Sequence, residues 1–206
     1  MNFQLALDRL SREECRHILN ETAHYIDWIE IGTGVIKEYG MAFVKEIRTA
    51  YPDKTIVADM KTCDAAEHET KQALQAGADI TTVMAFSHNQ TIQKALEAAE
   101  KEGGEIMVDL LNAPPERIAE LDELGVTLVS LHIGKDQQAE KMVGSDDFIP
   151  LQPFPGIKVA AAGGINAESV KNLREVNPYT VIVGSAVTKA HNPSEAARAV
   201  REAIDK

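Results

Sequence analysis

A (β/α)8 barrel in a single domain over residues 1–206 is the fold this sequence predicts, and three observations predict it. Short β-branched runs alternate with amphipathic stretches from one end of the chain to the other. Eight such units fit into 206 residues, the scale of a minimal barrel. No low-complexity linker, charge block or shift of composition divides the chain. An open doubly wound sheet is the competing architecture, but neither a GxGxxG turn nor a P-loop supports it.

In chain order, the expected strands are FQLALD (3–8), DWIEIG (27–32), TIVADMK (55–61) and DITTVMA (79–85). EIMVDLL (105–111), TLVSLHIG (127–134), KVAAAGG (158–164) and TVIVGSAV (180–187) complete the set. Between them lie stretches such as SREECRHILNETA, ETKQALQAGA, TIQKALEAAEKEG, PPERIAELDELG and SEAARAVREAI. Their apolar residues recur at three- and four-residue spacing, which gives a helix one face to bury. Ser11 precedes the first helix, Pro114 and Pro115 open the fifth, and Pro193–Ser194 precede the last. Gly77, Gly103 and Gly125 fall where helices should stop.

Composition narrows the partners. A formal charge of −11 disfavours nucleic acid and anionic membrane surfaces. An anionic small substrate would need a local positive site, which helix N-termini can supply. The start, MNFQLALDRLSREECRH, has no basic segment followed by a long apolar one, so neither a secretory leader nor a membrane span is expected. Cys15 and Cys63 form no CxxC or metal-ligand spacing and read as reduced thiols of a cytoplasmic protein.

In barrels of this kind chemistry sits at the C-terminal ends of the strands. Those ends carry Asp8, Glu30, Asp59 with Lys61, Asp109 and His132. Packing alone does not choose polar residues so often at one face. Asp59 and Lys61, two apart on a strand, should leave the same face. Asp64 follows at the expected start of the next helix, where an acid complements the macrodipole. With Asp8, Glu30, Asp59 and Asp64 as expected neighbours, Lys61 stays an ammonium ion and stabilises developing negative charge rather than forming an imine. Glu30 and Asp59 are a pair of hard oxygen ligands suited to Mg²⁺. His132 is a candidate proton carrier near neutral pH. AAAGGINAES (160–169) and VIVGSAV (181–187) put glycines in the last two βα turns, where backbone N–H groups can approach an anion. The implied ligand is a phosphorylated small molecule.

LALD with Asp8, IEIGT with Glu30, the D-x-K-x-x-D of Asp59, Lys61 and Asp64, LHIGKDQQA with His132, and AGGI together resemble the orotidine-monophosphate-decarboxylase-like barrels. The resemblance covers essentially the whole chain. Within that group it is nearest the 3-hexulose-6-phosphate synthases, with the 3-keto-L-gulonate-6-phosphate decarboxylases as close relatives. It implies Mg²⁺ on Glu30 and Asp59, and a cis-enediolate of a pentulose 5-phosphate stabilised by the metal and Lys61. In the synthases that enediolate, made from D-ribulose 5-phosphate, attacks formaldehyde to give D-arabino-hex-3-ulose 6-phosphate. In the decarboxylases it arises by loss of CO₂ and is then protonated. Asp8 would orient substrate hydroxyls and His132 would transfer a proton. Phosphate would sit on Gly163, Gly164, Gly184 and Ser185. The group builds its sites across a homodimer, with Asp64 reaching into the neighbouring subunit. HIGKD in place of the decarboxylases' HRSRD, Ser185 in place of an arginine, and Ala162 in place of the threonine of TGG lean toward the synthases. His88 in FSHNQT stands where both groups tend to have an acid, Asn112 ends DLLN where glycine is usual, and the segment SDDFIPLQPFPG (145–156) is unlike the synthases' helical stretch. A barrel that binds a sugar phosphate without turning it over is the reading from a different class.

Overall fold

The side-chain alternation of the strands sets the architecture. A computed structural model describes residues 1–206. All eight expected strands form: β1 Asn2–Leu7, β2 Trp28–Ile31, β3 Thr55–Thr62, β4 Ile80–Met84, β5 Glu105–Asp109, β6 Leu128–His132, β7 Lys158–Ala162 and β8 Thr180–Val183. Each pairs in parallel with the next, and β8 pairs with β1, so the sheet closes into a (β/α)8 TIM barrel. Closure excludes the doubly wound alternative.

The helices are α1 Arg12–Thr22, α2 Thr33–Tyr39, α3 Met41–Ala50, α4 Ala66–Gln75 and α5 Asn89–Glu102. They continue as α6 Arg117–Glu123, α7 Ala167–Asn172, α8 Ser185–Thr188 and α9 Pro193–Asp205. Ser11 and Glu14 cap α1 reciprocally. Gly103 ends α5 in the left-handed conformation, at φ 76°. Two expected starts shift. Asn192, not Ser194, caps α9, with Pro193 in its first turn, and α6 begins at Arg117, beyond Pro114 and Pro115. The β6–β7 connection holds two short 3₁₀ turns, Lys135–Gln137 and Ser145–Leu151, in place of an outer α-helix. Pro150 lies inside the second. No helix is long and apolar enough to cross a membrane.

Inside the barrel the period of two divides the side chains into layers. Trp28, Val57, Ile80, Met107, Leu128 and Ala160, with Ile182 against them, form a closed apolar cluster of their own. Two residues further along the same strands stand Glu30, Asp59, Thr82, Asp109, Ser130 and Ala162. The first five are polar and buried. A greasy floor thus carries a polar layer that opens to the C-terminal mouth.

Candidate active site

The cleft at that mouth has a volume of about 470 Å³ and is bordered by residues from all eight strands or the turns that follow them. Its organising irregularity lies in β3. That strand pairs with β4 through Ala58 and Thr81 and then through Thr62 and Val83, so it advances four residues against two. Lys61 lies in this bulge with φ 49°, a left-handed conformation for a long side chain. Simple alternation therefore does not place Lys61. The bulge does, and it aims the side chain across the barrel.

The Lys61 Nζ donates to Asp109 Oδ2 at 2.5 Å and lies 3.3 Å from Asp59 Oδ2. Burial alone would drive the amine toward its neutral form, but Asp59, then Asp109, outweigh this and hold it ammonium, above the ordinary lysine value. The charge expected for Lys61 stands, but its neighbours differ. Asp109, two strands away, takes the place expected for Asp8 and Asp64.

Asp109 is the hub of the site. It is buried, and one carboxylate holds the Lys61 ammonium and the His132 ring, whose Nδ1 lies 3.0 Å from Asp109 Oδ2. Burial opposes the carboxylate's charge. The His132 hydrogen bond and charge, then Lys61, overcome it and leave Asp109 well below the usual carboxylate range. In return Asp109 pulls His132 above the ordinary imidazole value, against the effect of burial. With Nδ1 turned to Asp109, the remaining ring nitrogen is the one available to a ligand.

Asp59 is fixed at both oxygens: Thr82 Oγ1 donates to Oδ1 and Thr33 Oγ1 to Oδ2, each at 2.8 Å. Glu30 accepts from Gln4 Nε2 at 2.6 Å. Its carboxyl is pushed up to about 7, first by burial and then by the negative charge of Asp59. A buried pair of acids that repel one another is the arrangement a divalent cation relieves. No three or more Asp, Glu, His or Cys side chains stand at metal-ligand spacing. Two carboxylates plus water and substrate oxygens nevertheless suffice for Mg²⁺. The donor set fits.

Asp8 stands at the rim, exposed, and its Oδ1 accepts from the Gly34 N–H at 2.9 Å. Gly163, Gly164, Gly184 and Ser185, in the turns after β7 and β8, border the same cleft, and none of their N–H groups donates to another backbone group. A Cβ on Gly163, at φ 120°, would stand 2.7 Å from Ile133 Cβ and 2.8 Å from its carbonyl oxygen. Four cations, Arg9, Lys37, Lys135 and Lys189, edge the mouth, and neither Lys37 nor Lys189 is paired with a carboxylate. The rim is thus net positive despite the acidic chain.

One expected site residue lies elsewhere. Asp64 is exposed two residues before α4 begins, in a separate surface depression with Glu67, His68, Lys71 and His88. It neither heads the helix nor faces this cleft. His88 caps α5, its Nδ1 accepting from the Gln90 N–H at 3.2 Å. Asn112 has φ 58°, in the left-handed region that asparagine tolerates best after glycine. Sequence reasoning named Asp109 as a strand end without giving it a role, and it passed over Gln4, Thr33, Thr82 and Ser130. Stepping two residues beyond Ile80 and Leu128 finds Thr82 and Ser130. No local signal marks Gln4 or Thr33.

Residues 1–200 match the family described as orotidine 5'-phosphate decarboxylase / HUMPS. The chain belongs to this family. Among curated HUMPS-family relatives, the 3-hexulose-6-phosphate synthase of Staphylococcus aureus (strain USA300) is 35% identical over 211 residues, covering 100% of this chain and 99% of the relative. The crystal structure of 3-hexulose-6-phosphate synthase from Salmonella typhimurium superposes with a TM-score of 0.96 at 35% identity, over 99% of this chain and 98% of that one. That of KGPDC from Streptococcus mutans, solved as a ligand complex, gives 0.91 at 29% identity, over 99% and 97%. Both groups implied by the sequence resemblance are thus among the relatives.

Proposed function

We propose that this chain is an Mg²⁺-dependent carbon–carbon lyase of the aldehyde-lyase type, which joins formaldehyde to D-ribulose 5-phosphate to give D-arabino-hex-3-ulose 6-phosphate. The observation that carries this reading is the Asp59–Lys61–Asp109–His132 chain of contacts in a full-length relative of the synthases. It sets a fixed ammonium beside a proton carrier. Mg²⁺, on Glu30 and Asp59, would supply Lewis-acid stabilisation of substrate oxyanions.

The unbonded N–H groups of Gly163, Gly164, Gly184 and Ser185 would bind the phosphate, with Lys189 at the same rim adding positive charge. Asp8 would orient sugar hydroxyls. The free nitrogen of His132 would take a proton from C1 of the pentulose, leaving an enediolate whose negative charge Lys61 balances. The electron pair at C1 then forms the new bond to the formaldehyde carbon. The formaldehyde oxygen takes up the proton from His132 and becomes a hydroxyl. Asp64, turned away from its own cleft, is assigned to the site of a second copy in a homodimer. The substrates are those of cytoplasmic metabolism.

Purified protein with Mg²⁺, formaldehyde and ribulose 5-phosphate should consume formaldehyde and should stop with EDTA; no consumption would overturn the reading. The second reading is decarboxylation of 3-keto-L-gulonate 6-phosphate, favoured by the likeness to KGPDC. CO₂ release from that substrate without formaldehyde uptake would establish it. Binding of either phosphate with no turnover would leave a non-catalytic barrel.

A further inference from the structure

Lys61, inside the β3 bulge, has no register partner on β4. Its backbone N–H donates to the side-chain oxygen of Thr82, at 2.8 Å. The same oxygen donates its own hydrogen to Asp59 Oδ1, also at 2.8 Å. A hydroxyl offers one donor and two acceptor sites, so accepting from Lys61 directs its proton to Asp59. Thr82 is 4% exposed, so little water can replace either bond. Its β4 position also lies between β3, which carries Lys61, and β5, which carries the Asp109 that Lys61 reaches.

We propose that Thr82 is a positioning residue for the reaction. Its single hydroxyl ties the bulged backbone of Lys61 to the Asp59 carboxylate and so sets the separation between the ammonium and the metal-binding acid. The left-handed backbone at Lys61 is intrinsically unfavourable and persists only where surrounding contacts hold it. Thr82 provides a side-chain hydrogen bond to that N–H across the register shift. Thr33 donates to the other oxygen of Asp59 and makes no hydrogen bond to the Lys61 backbone, so it cannot substitute. Without the hydroxyl, the part-buried N–H loses this partner, and the two charged groups lose their common reference point. The inference rests on the proposed function, because the cost falls on metal binding and on the step that Lys61 assists.

The test compares Thr82→Ser, which keeps the hydroxyl, with Thr82→Val, which keeps the shape and removes it. Each is read by Mg²⁺ titration calorimetry without substrate and by kcat and KM for ribulose 5-phosphate. Thr82→Ser should stay within about threefold of the parent in all three. Thr82→Val should lose about 10–100-fold in Mg²⁺ affinity, as outer-shell partners of metal ligands do. Its kcat should fall about 100-fold, with KM changed less than about threefold. Thr82→Ala removes the same hydroxyl and takes the place of Thr82→Val if that variant does not fold. A folded, hydroxyl-free variant with parental Mg²⁺ affinity and kcat overturns the inference, as does equal loss in Thr82→Ser. If the parent protein itself neither binds Mg²⁺ nor consumes formaldehyde, the proposed function fails instead.

Discussion

Glu30 illustrates how one residue can weaken a fold in order to serve a site. Its carboxyl titrates at about 7 in the folded chain and near 4.5 when unperturbed, so the folded state binds the proton more tightly. Stability from this group is therefore greatest below pH 4.5 and falls as pH rises through about 7. In EDTA at pH 8, Glu30→Gln should raise unfolding stability, by up to about 3 kcal/mol, and the gain should vanish at pH 4 in urea titrations. A gain that persists at pH 4 would mean packing, not charge, is responsible. His132 has the same pH dependence for a different reason, since its charged form, not its neutral one, is the form the site favours. Raised by its bond to Asp109, it adds stability below its ordinary value that is lost as pH rises through the folded one. Its base form likewise appears only above that raised value. Asp109→Asn should move the acid limb of the kcat/KM profile to lower pH, while lowering the plateau about 100-fold as Lys61 loses its anchor. An unmoved limb would show that His132 is not the titrating base.

At the scale of elements, the strands were legible because apolar alternation and β-branched runs mark them, and their C-terminal ends point to one mouth. Asp59, Lys61, His132 and the two glycine turns could be read from that placement. The stretch 33–50 was not among the helices singled out, since Gly34 and Gly40 interrupt the period that α2 and α3 otherwise show. The bulge in β3 was illegible because a register shift depends on what β4 offers across the gap. So was the contact of Lys61 with Asp109, which joins residues 48 positions apart. The turn after β7 makes a sharp element-level test. Gly163→Ala places a methyl against the Ile133 backbone at a φ alanine resists. It should raise KM for ribulose 5-phosphate at least about tenfold while leaving Mg²⁺ affinity unchanged, because only the phosphate end of the cleft is disturbed. An unchanged KM would remove that turn from the phosphate site.

The whole molecule raises the matter of Asp64, which the barrel turns away from its own cleft. If each site borrows this acid from a second copy, Lys61→Met and Asp64→Asn should each be nearly inactive alone. Mixed and allowed to exchange subunits, they should recover about a quarter of parental activity, because half the dimers are mixed and each of those holds one intact site. No recovery, with exchange verified by mass spectrometry, would place Asp64 outside the chemistry.

The apolar floor beneath the polar layer has its own consequence for timing. Trp28, Val57, Ile80, Met107 and Leu128 close the barrel from below, so the mouth is the only passage to the buried acids. If Mg²⁺ sits on Glu30 and Asp59 as proposed, it shares that one mouth with the substrate, and a sugar phosphate bound above it would act as a stopper that slows the metal's escape.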